Sequence, residues 1–389
     1  MKRRRAVLLL WSALALANLS AGVVLAWQPD RASDLETMHR WGKAWLVDGR
    51  NPYGDADEAP DYPPHGLVAL APIGLLPAGW LVPVWGVVNL AIAVLTPYLA
   101  VRAFDPTIRF ATAAVPILMF LCWGTFRILL QFSLLTFALG LLAMVLADKR
   151  PIASGVCLGL ALLKPQLAVP FFCWMLFTRH VRVAIVAIAV VLAGFVIFCL
   201  RAHANPVAVV DHWRQNLQLL YTGDAILSGI SDLRPLIRLT VSNLTLVDAI
   251  AGSIALAIFV AICVMGFEEA RWQRAVIYCA PPLVGLWSLM TFYFLTYGFL
   301  LFLPTAVLLI FARDPQTRRV RMIMFSVLQA LLMVDVPGLW RRIGHLAPAW
   351  PVLHAVAPHF DRVLPLAAFA SVVMLYRRAR QLSHGRESR

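Results

Sequence analysis

The sequence predicts an all-α, polytopic membrane protein: a bundle of about 11–13 transmembrane helices with a long first outer loop. Three observations predict it. Apolar residues make up 61% of the chain, charged residues only 14%, and mean hydropathy is +0.76, so a soluble domain of this composition would have an insoluble surface. The apolar runs are continuous rather than alternating, which suits helices and excludes a closed barrel. Finally, a hydrocarbon core about 30 Å thick takes roughly 20 helical residues per crossing, and the 389 residues contain few long polar stretches.

The first run, Ala6 to Trp27, follows Lys2-Arg3-Arg4-Arg5. It reads as a retained helix rather than a cleaved signal. Its apolar part is about 20 residues against a signal core of roughly 7–15, and Trp27-Gln28-Pro29 offers no small-residue cleavage site. The basic start is expected in the cytoplasm and the next segment outside. Carried along the chain, this orientation puts the short basic turns inside: Arg102 to Arg109, Lys149-Arg150, Arg179 to Arg182, Arg271 to Arg274, Arg313 to Arg321, and the tail from Arg377. Most of the 34 Lys and Arg then lie on the inner side, as do both termini. The net charge of +14 therefore reads as topology and attraction to an anionic lipid bilayer, with no role for nucleic acid. The chain is expected to form one integral membrane domain, residues 1–389, with outer loops at 28–65, 201–243 and 337–362 and only turns inside. That asymmetry predicts that substrates arrive from the outer side.

In the first outer loop, Ser33-x-x-Glu36 is a capping-box pattern opening a helix on which Met38, Trp41 and Trp45 recur at helical spacing. The helix is expected to lie on the membrane, its aromatic face at the interface and Arg40 and Lys43 toward head groups. Asp34 falls in its first turn, where the positive end of the helix dipole favours a carboxylate. Two roles fit this residue, helix capping and a base facing a membrane cavity, and local sequence leaves both open. Asn51-Pro52-Tyr53 and Tyr62-Pro63-Pro64 are turns that break helices before the chain re-enters the membrane.

Two stretches do not fit ordinary spans. Gly66 to Val101 is too long for one helix and is interrupted at Pro72, Pro77 and Pro83, so part of it is expected to be re-entrant or to lie flat. Ile152 to Leu163 is a short run before Lys164-Pro165-Gln166, and a second short run ends at Phe177. Either these short helices line a protein-enclosed cavity, or they are two thin but complete spans joined by an outer turn. The six cysteines all fall in apolar runs without zinc-ligand spacing. The nine histidines include no H-x-x-x-H pair. With no Walker sequence, phosphate-binding glycine loop or G-x-S-x-G elbow, ATP-driven transport and serine hydrolysis lose their usual support.

One set of motifs resembles a known family. Asp34, the helix after it, Gly49-Arg50-Asn51-Pro52-Tyr53, and Tyr62-Pro63-Pro64 leading into an apolar run with Pro72 and Leu76-Pro77 resemble the first-loop signature of glycosyltransferase family 87. Gln131-Phe132-Ser133, opening a helix, resembles the family's Gly-Gln-x-Asn stretch, with Leu130 and Ser133 standing where Gly and Asn are common. Gly155 through Gly159-Leu160-Ala161 to Lys164-Pro165-Gln166 resembles its Gly-x-x-x-Gly-Leu-Ala-x-x-Lys-Pro segment. The motif resemblance covers roughly residues 1 to 180; beyond that only hydropathy is alike.

The family includes polyprenyl-phosphate-mannose-dependent α-mannosyltransferases, and the resemblance implies a GT-C type bundle in the cytoplasmic (inner) membrane that moves a sugar, mannose as the first expectation, from a polyprenyl-phosphate carrier to a hydroxyl of a glycan or glycolipid acceptor on the outer side. Asp34 matches the catalytic acidic position and would act as general base in an inverting displacement. The leaving group is already a phosphate, so it needs positive charge rather than a proton. Lys164 is the first candidate to supply it, with Arg127, Arg234 and Arg238 able to reach an outer cavity on this topology. Head-group snorkelling is the stronger reading for any one of these cations taken alone, and Lys164 departs from it because it sits between two short helices in a matching segment. Gln131 would hydrogen-bond sugar or acceptor, and Asn51, Tyr53 and Tyr62 would shape the sugar pocket. No cofactor is implied, and no metal, because one carboxylate without an Asp-x-Asp partner is a poor cage for a divalent ion. The alternative from another class is a flippase or transporter of a lipid-linked sugar, gated by the interrupted helices.

Overall fold

A computed structural model describes residues 2–26, 33–54, 60–104, 110–123, 130–221, 233–271, 279–292, 296–311, 317–334 and 360–387. Among these residues every regular element is helical and no strand occurs. Among the described residues, three helical stretches are long and apolar enough to cross a membrane: Ala78–Ala103, Val181–Arg201 and Leu244–Glu268. Shorter apolar helices include Ser133–Leu146, Pro151–Ala161 and Pro165–Phe177. The protein is thus an all-α membrane protein. The chain forms two compact units, 1–228 and 229–389.

The first unit contains α1 (Lys2–Ala26), α2 (Ser33–Leu46), α3 (Pro64–Leu70), α4 (Leu81–Phe104), α5 (Phe110–Leu121), α6 (Ser133–Leu146), α7 (Pro151–Ala161), α8 (Pro165–Phe177), α9 (Val181–Arg201) and α10 (Pro206–Tyr221). A 3-10 helix, Ala71–Leu75, continues α3, and a second, Ala78–Trp80, leads into α4. Pro72 and Pro77 therefore interrupt the chain as expected, but Pro83 does not. It sits in the first turn of α4, where no intrahelical partner is needed for the N–H that proline lacks.

The α9 helix shows how the membrane face is built. Ile185, Ile188, Leu192, Val196 and Leu200 are exposed along one stripe, while Val183, Ala184, Ala187 and Phe198 are buried on the other. Exposed apolar side chains at helical spacing are what lipid contact requires. On the buried side, Gly155 and Gly159 of α7 let the two backbones approach: a Cβ on Gly159 would stand 2.8 Å from the Ala187 carbonyl oxygen. One-turn spacing of small residues is a common way for membrane helices to pack closely.

The α2 helix forms where the capping pattern predicts, but it does not lie with its aromatic face in lipid. Leu35, Met38 and Trp45 are 1%, 0% and 4% exposed, covered by the chain itself. The helix rests on the 3-10 helix Ala71–Leu75, glycine against glycine. A Cβ on Gly42 would lie 2.9 Å from the Ala71 carbonyl oxygen, and one on Gly74 would overlap the backbone of Lys43. The missing side chains on both partners allow a contact too close for an interfacial helix floating on head groups.

The second unit contains the short helix α11 (Arg234–Ile237), then α12 (Leu244–Arg271), α13 (Ala280–Thr291), α14 (Leu303–Phe311), α15 (Arg318–Val334) and α16 (Phe360–Glu387). Its polar groups serve packing: the Trp287 indole donates to the Ala255 carbonyl at 2.9 Å, and buried Arg321 donates to the Leu309 carbonyl at 2.8 Å. The Tyr376 hydroxyl donates to Glu268 Oε2 at 2.6 Å, joining α16 to α12.

Candidate active site

The site is built on α2, whose position is fixed at several points. The Trp45 indole donates to the Phe198 carbonyl at 3.1 Å, and the His39 ring meets the Leu76 carbonyl at 2.9 Å. At the C-terminal end, where carbonyls have no partners within the helix, the Arg201 guanidinium donates to Leu46 and Val47 at 3.0 and 3.2 Å. The chain then turns through Gly49 at φ 67°, a left-handed conformation that glycine adopts without strain. Asp34 stands exposed in the first turn of this anchored helix.

The Asp34 carboxylate accepts a hydrogen bond from the Gln131 side-chain amide. The Gln131 carbonyl oxygen in turn accepts from Lys164 Nζ at 3.4 Å, and Lys164 Nζ also donates to Ser133 Oγ at 3.0 Å. The orientation of the amide follows from its neighbours, since an ammonium only donates and a carboxylate only accepts. Asp34, Gln131 and Lys164 thus form one hydrogen-bonded chain. Each member comes from a helix boundary: Asp34 from the start of α2, Gln131 from the turn before α6, and Lys164 from the break between α7 and α8. At Lys164 the following Pro165 disfavours helical geometry, and φ −122°, ψ 86° turns the chain.

Lys164 is 6% exposed, with Nζ 5.2 Å from the centre of the Tyr62 ring. An ammonium over an aromatic face is attracted by the ring quadrupole, more strongly where water is excluded. Tyr62 packs edge-on against Trp41 and Phe132, with centroids 6.4 and 6.0 Å away, and Phe132 meets Trp85 at 4.8 Å. Buried Asn89 of α4 donates to the Gln131 backbone carbonyl at 3.3 Å, fixing the segment that carries the bridging amide.

The remaining residues named from sequence divide clearly. Tyr53 is 2% exposed, and its hydroxyl donates to the Tyr62 carbonyl at 2.5 Å, so it braces the loop from within rather than lining a pocket. Asn51 accepts the Tyr53 N–H at 3.1 Å, closing a side-chain turn. Arg234 and Arg238 belong to the second unit. There Arg234 lies 3.9 Å from Asp248 and Arg238 is exposed. Arg127 falls outside the described residues.

Sequence reasoning passed over one carboxylate, Asp61. It is open to solvent yet closely surrounded by protein, and burial is the main cause pushing its carboxyl above the usual range. The Lys164 charge opposes that rise, as do the N–H groups of Asp61 and Tyr62, while the Asp34 charge adds to it. Asp61 thus interacts electrostatically with both ends of the Asp34–Gln131–Lys164 chain. The Trp213 indole of α10 donates to its backbone carbonyl at 3.0 Å. The only local signal was an acidic residue directly before Tyr62-Pro63-Pro64. Among the described residues, no group of three or more His, Cys, Asp or Glu is placed to hold a metal ion.

An all-helical membrane protein with a carboxylate, an amide and a buried lysine linked at three helix boundaries is the class that fold and site define. The chain belongs to glycosyltransferase family 87, whose sequence profile matches residues 61–337. It is therefore a glycosyltransferase of the membrane. The match starts at Asp61, so Asp34 precedes it, while Gln131, Ser133 and Lys164 lie inside. It also runs well beyond residue 180, where the motif resemblance ended. Neither a curated protein nor a solved structure matches the chain.

Proposed function

We propose that the protein transfers a sugar, mannose as the first candidate, from a polyprenyl-phosphate carrier to an acceptor hydroxyl on the outer face of the cytoplasmic membrane, with inversion. The observation that carries this reading is the hydrogen-bonded line from exposed Asp34 through Gln131 to buried Lys164. It sets a proton acceptor and a cation within one short network, as displacement at a sugar phosphate requires.

In the proposed step the acceptor oxygen bonds to the anomeric carbon as the carbon–oxygen bond to phosphate breaks. The acceptor proton passes to Asp34, and the bonding electrons leave with polyprenyl phosphate. Lys164 opposes the negative charge that builds on the phosphate. Its field is strong because the ammonium is buried and already oriented by Ser133 and Gln131, so little reorganises during the reaction. A single displacement inverts the anomeric centre.

The break between α7 and α8 is the feature that favours the alternative, a flippase for the same lipid. A flippase moves the lipid without forming a glycosidic bond. Purified protein supplied with polyprenyl-phosphate mannose and a membrane glycolipid extract, followed by mass spectrometry, is expected to yield a glycolipid one hexose heavier together with free polyprenyl phosphate. Donor that binds and stays intact with every acceptor fraction would count against transfer.

A further inference from the structure

Asp61 stands next in the chain to Tyr62, the residue whose ring faces Lys164 and packs on α2, and the transfer step described above leaves it without a task. Its position is tightly determined. The Trp213 indole holds its carbonyl at 3.0 Å, Pro60 and Tyr62 on either side are buried, and the Tyr53 hydroxyl holds the Tyr62 carbonyl at 2.5 Å. The N–H groups of Asp61 and Tyr62 favour the charged form of its carboxyl, while the residue stays open to solvent. A carboxylate offers about four acceptor positions, so two N–H contacts leave capacity for a ligand.

Its location relative to the other groups suggests which ligand. In a single displacement the transferred sugar lies between its phosphate, on the Lys164 side, and the attacking hydroxyl, on the Asp34 side. Asp61 directly precedes Tyr62, whose ring lies 5.2 Å from Lys164 Nζ on one side and packs against Trp41 of α2 on the other, so the segment that carries Asp61 borders the space between the two groups. Two oxygens of one carboxylate match two adjacent ring hydroxyls, and hydrogen bonds to a charged acceptor are the strong ones.

Building on the sugar-transfer reading, we propose that Asp61 is a specificity-determining residue that accepts hydrogen bonds from a neighbouring pair of hydroxyls on the transferred sugar. It also carries a second consequence. A negative charge beside Lys164 disfavours a bare lipid phosphate that brings no hydroxyls to compensate, so Asp61 favours the loaded carrier over the spent one and helps product leave.

The test compares the affinity of the full chain in lipid nanodiscs for polyprenyl-phosphate mannose and for bare polyprenyl phosphate, in wild type, Asp61→Asn and Asp61→Ala. Asp61→Ala is expected to weaken the mannosylated carrier about tenfold or more and to leave the bare carrier unchanged or tighter, with Asp61→Asn in between. Retained binding of the bare carrier shows that the variant is folded. Equal weakening of both lipids, as a purely structural role would give, overturns the proposal, and so does an unchanged preference for the mannosylated form. If the wild type binds neither lipid, the sugar-transfer reading fails and takes this one with it. Wild-type preference that persists in Asp61→Ala removes only the role of Asp61.

Discussion

The two sides of the candidate site are held in opposite ways. Asp34 and Asp61 are exposed, and what fixes them is mainly their segments: α2 is clamped by Arg201, Trp45 and the Gly42–Gly74 contact, and the loop at Asp61 by Trp213 and Tyr53. Lys164 is buried and fixed through its own ammonium, by Ser133, Gln131 and the Tyr62 ring. On the proposed transfer mechanism the difference separates two kinds of work. Groups that touch substrate need free acceptor positions and a rigid base, whereas a group that supplies potential works best when water is excluded and its orientation is already set.

Removing each side tests that division. Asp34→Asn keeps the shape but removes the proton acceptor, and is expected to lower the transfer rate about 10²–10⁴-fold with donor affinity largely intact, measured by turnover beside lipid binding. Lys164→Met removes the buried charge. The expected loss is about 10²–10³-fold in turnover, accompanied by weaker binding of bare polyprenyl phosphate. A smaller effect comes from the scaffold beneath the carboxylate. Gly74→Leu forces side-chain atoms into the backbone of α2 and is expected to cost about 1–3 kcal/mol of stability, read as a lower Tm, with turnover falling because Asp34 is displaced. Smallest is Tyr53→Phe, which loses one buried hydrogen bond to the Tyr62 carbonyl. Its expected cost is about 1 kcal/mol in stability, with little change in turnover, and a large loss of turnover would instead give Tyr53 a part in the chemistry.

Features set by local sequence were legible. Ser33 and Glu36 mark the start of α2, which puts Asp34 in a first turn, and Lys164-Pro165 marks the break between α7 and α8. Periodicity also showed that Met38, Trp41 and Trp45 share a face. It could not show what covers that face, because an aromatic stripe suits the lipid interface and a protein surface alike, and the choice depends on Gly74 and Phe198 much later in the chain. Asp61 was hidden for the same reason. Between Pro60 and Tyr62 it looks like a solvated turn, and only the contact with Trp213, 152 residues away, shows that its backbone is held. Pro83 was misread as a break because a proline one turn later would have been one; its distance from the start of α4 decides the matter.

The central claim is that Asp34 and Lys164, though they do different work, are coupled through the Gln131 amide. A double-mutant cycle on turnover measures this most directly, comparing Asp34→Asn, Lys164→Met and the double variant under identical donor and acceptor concentrations. The account predicts a combined loss clearly smaller than the product of the two single losses, because each variant breaks the hydrogen-bonded line that orients the other group. Losses that multiply would show two groups acting independently and would contradict it.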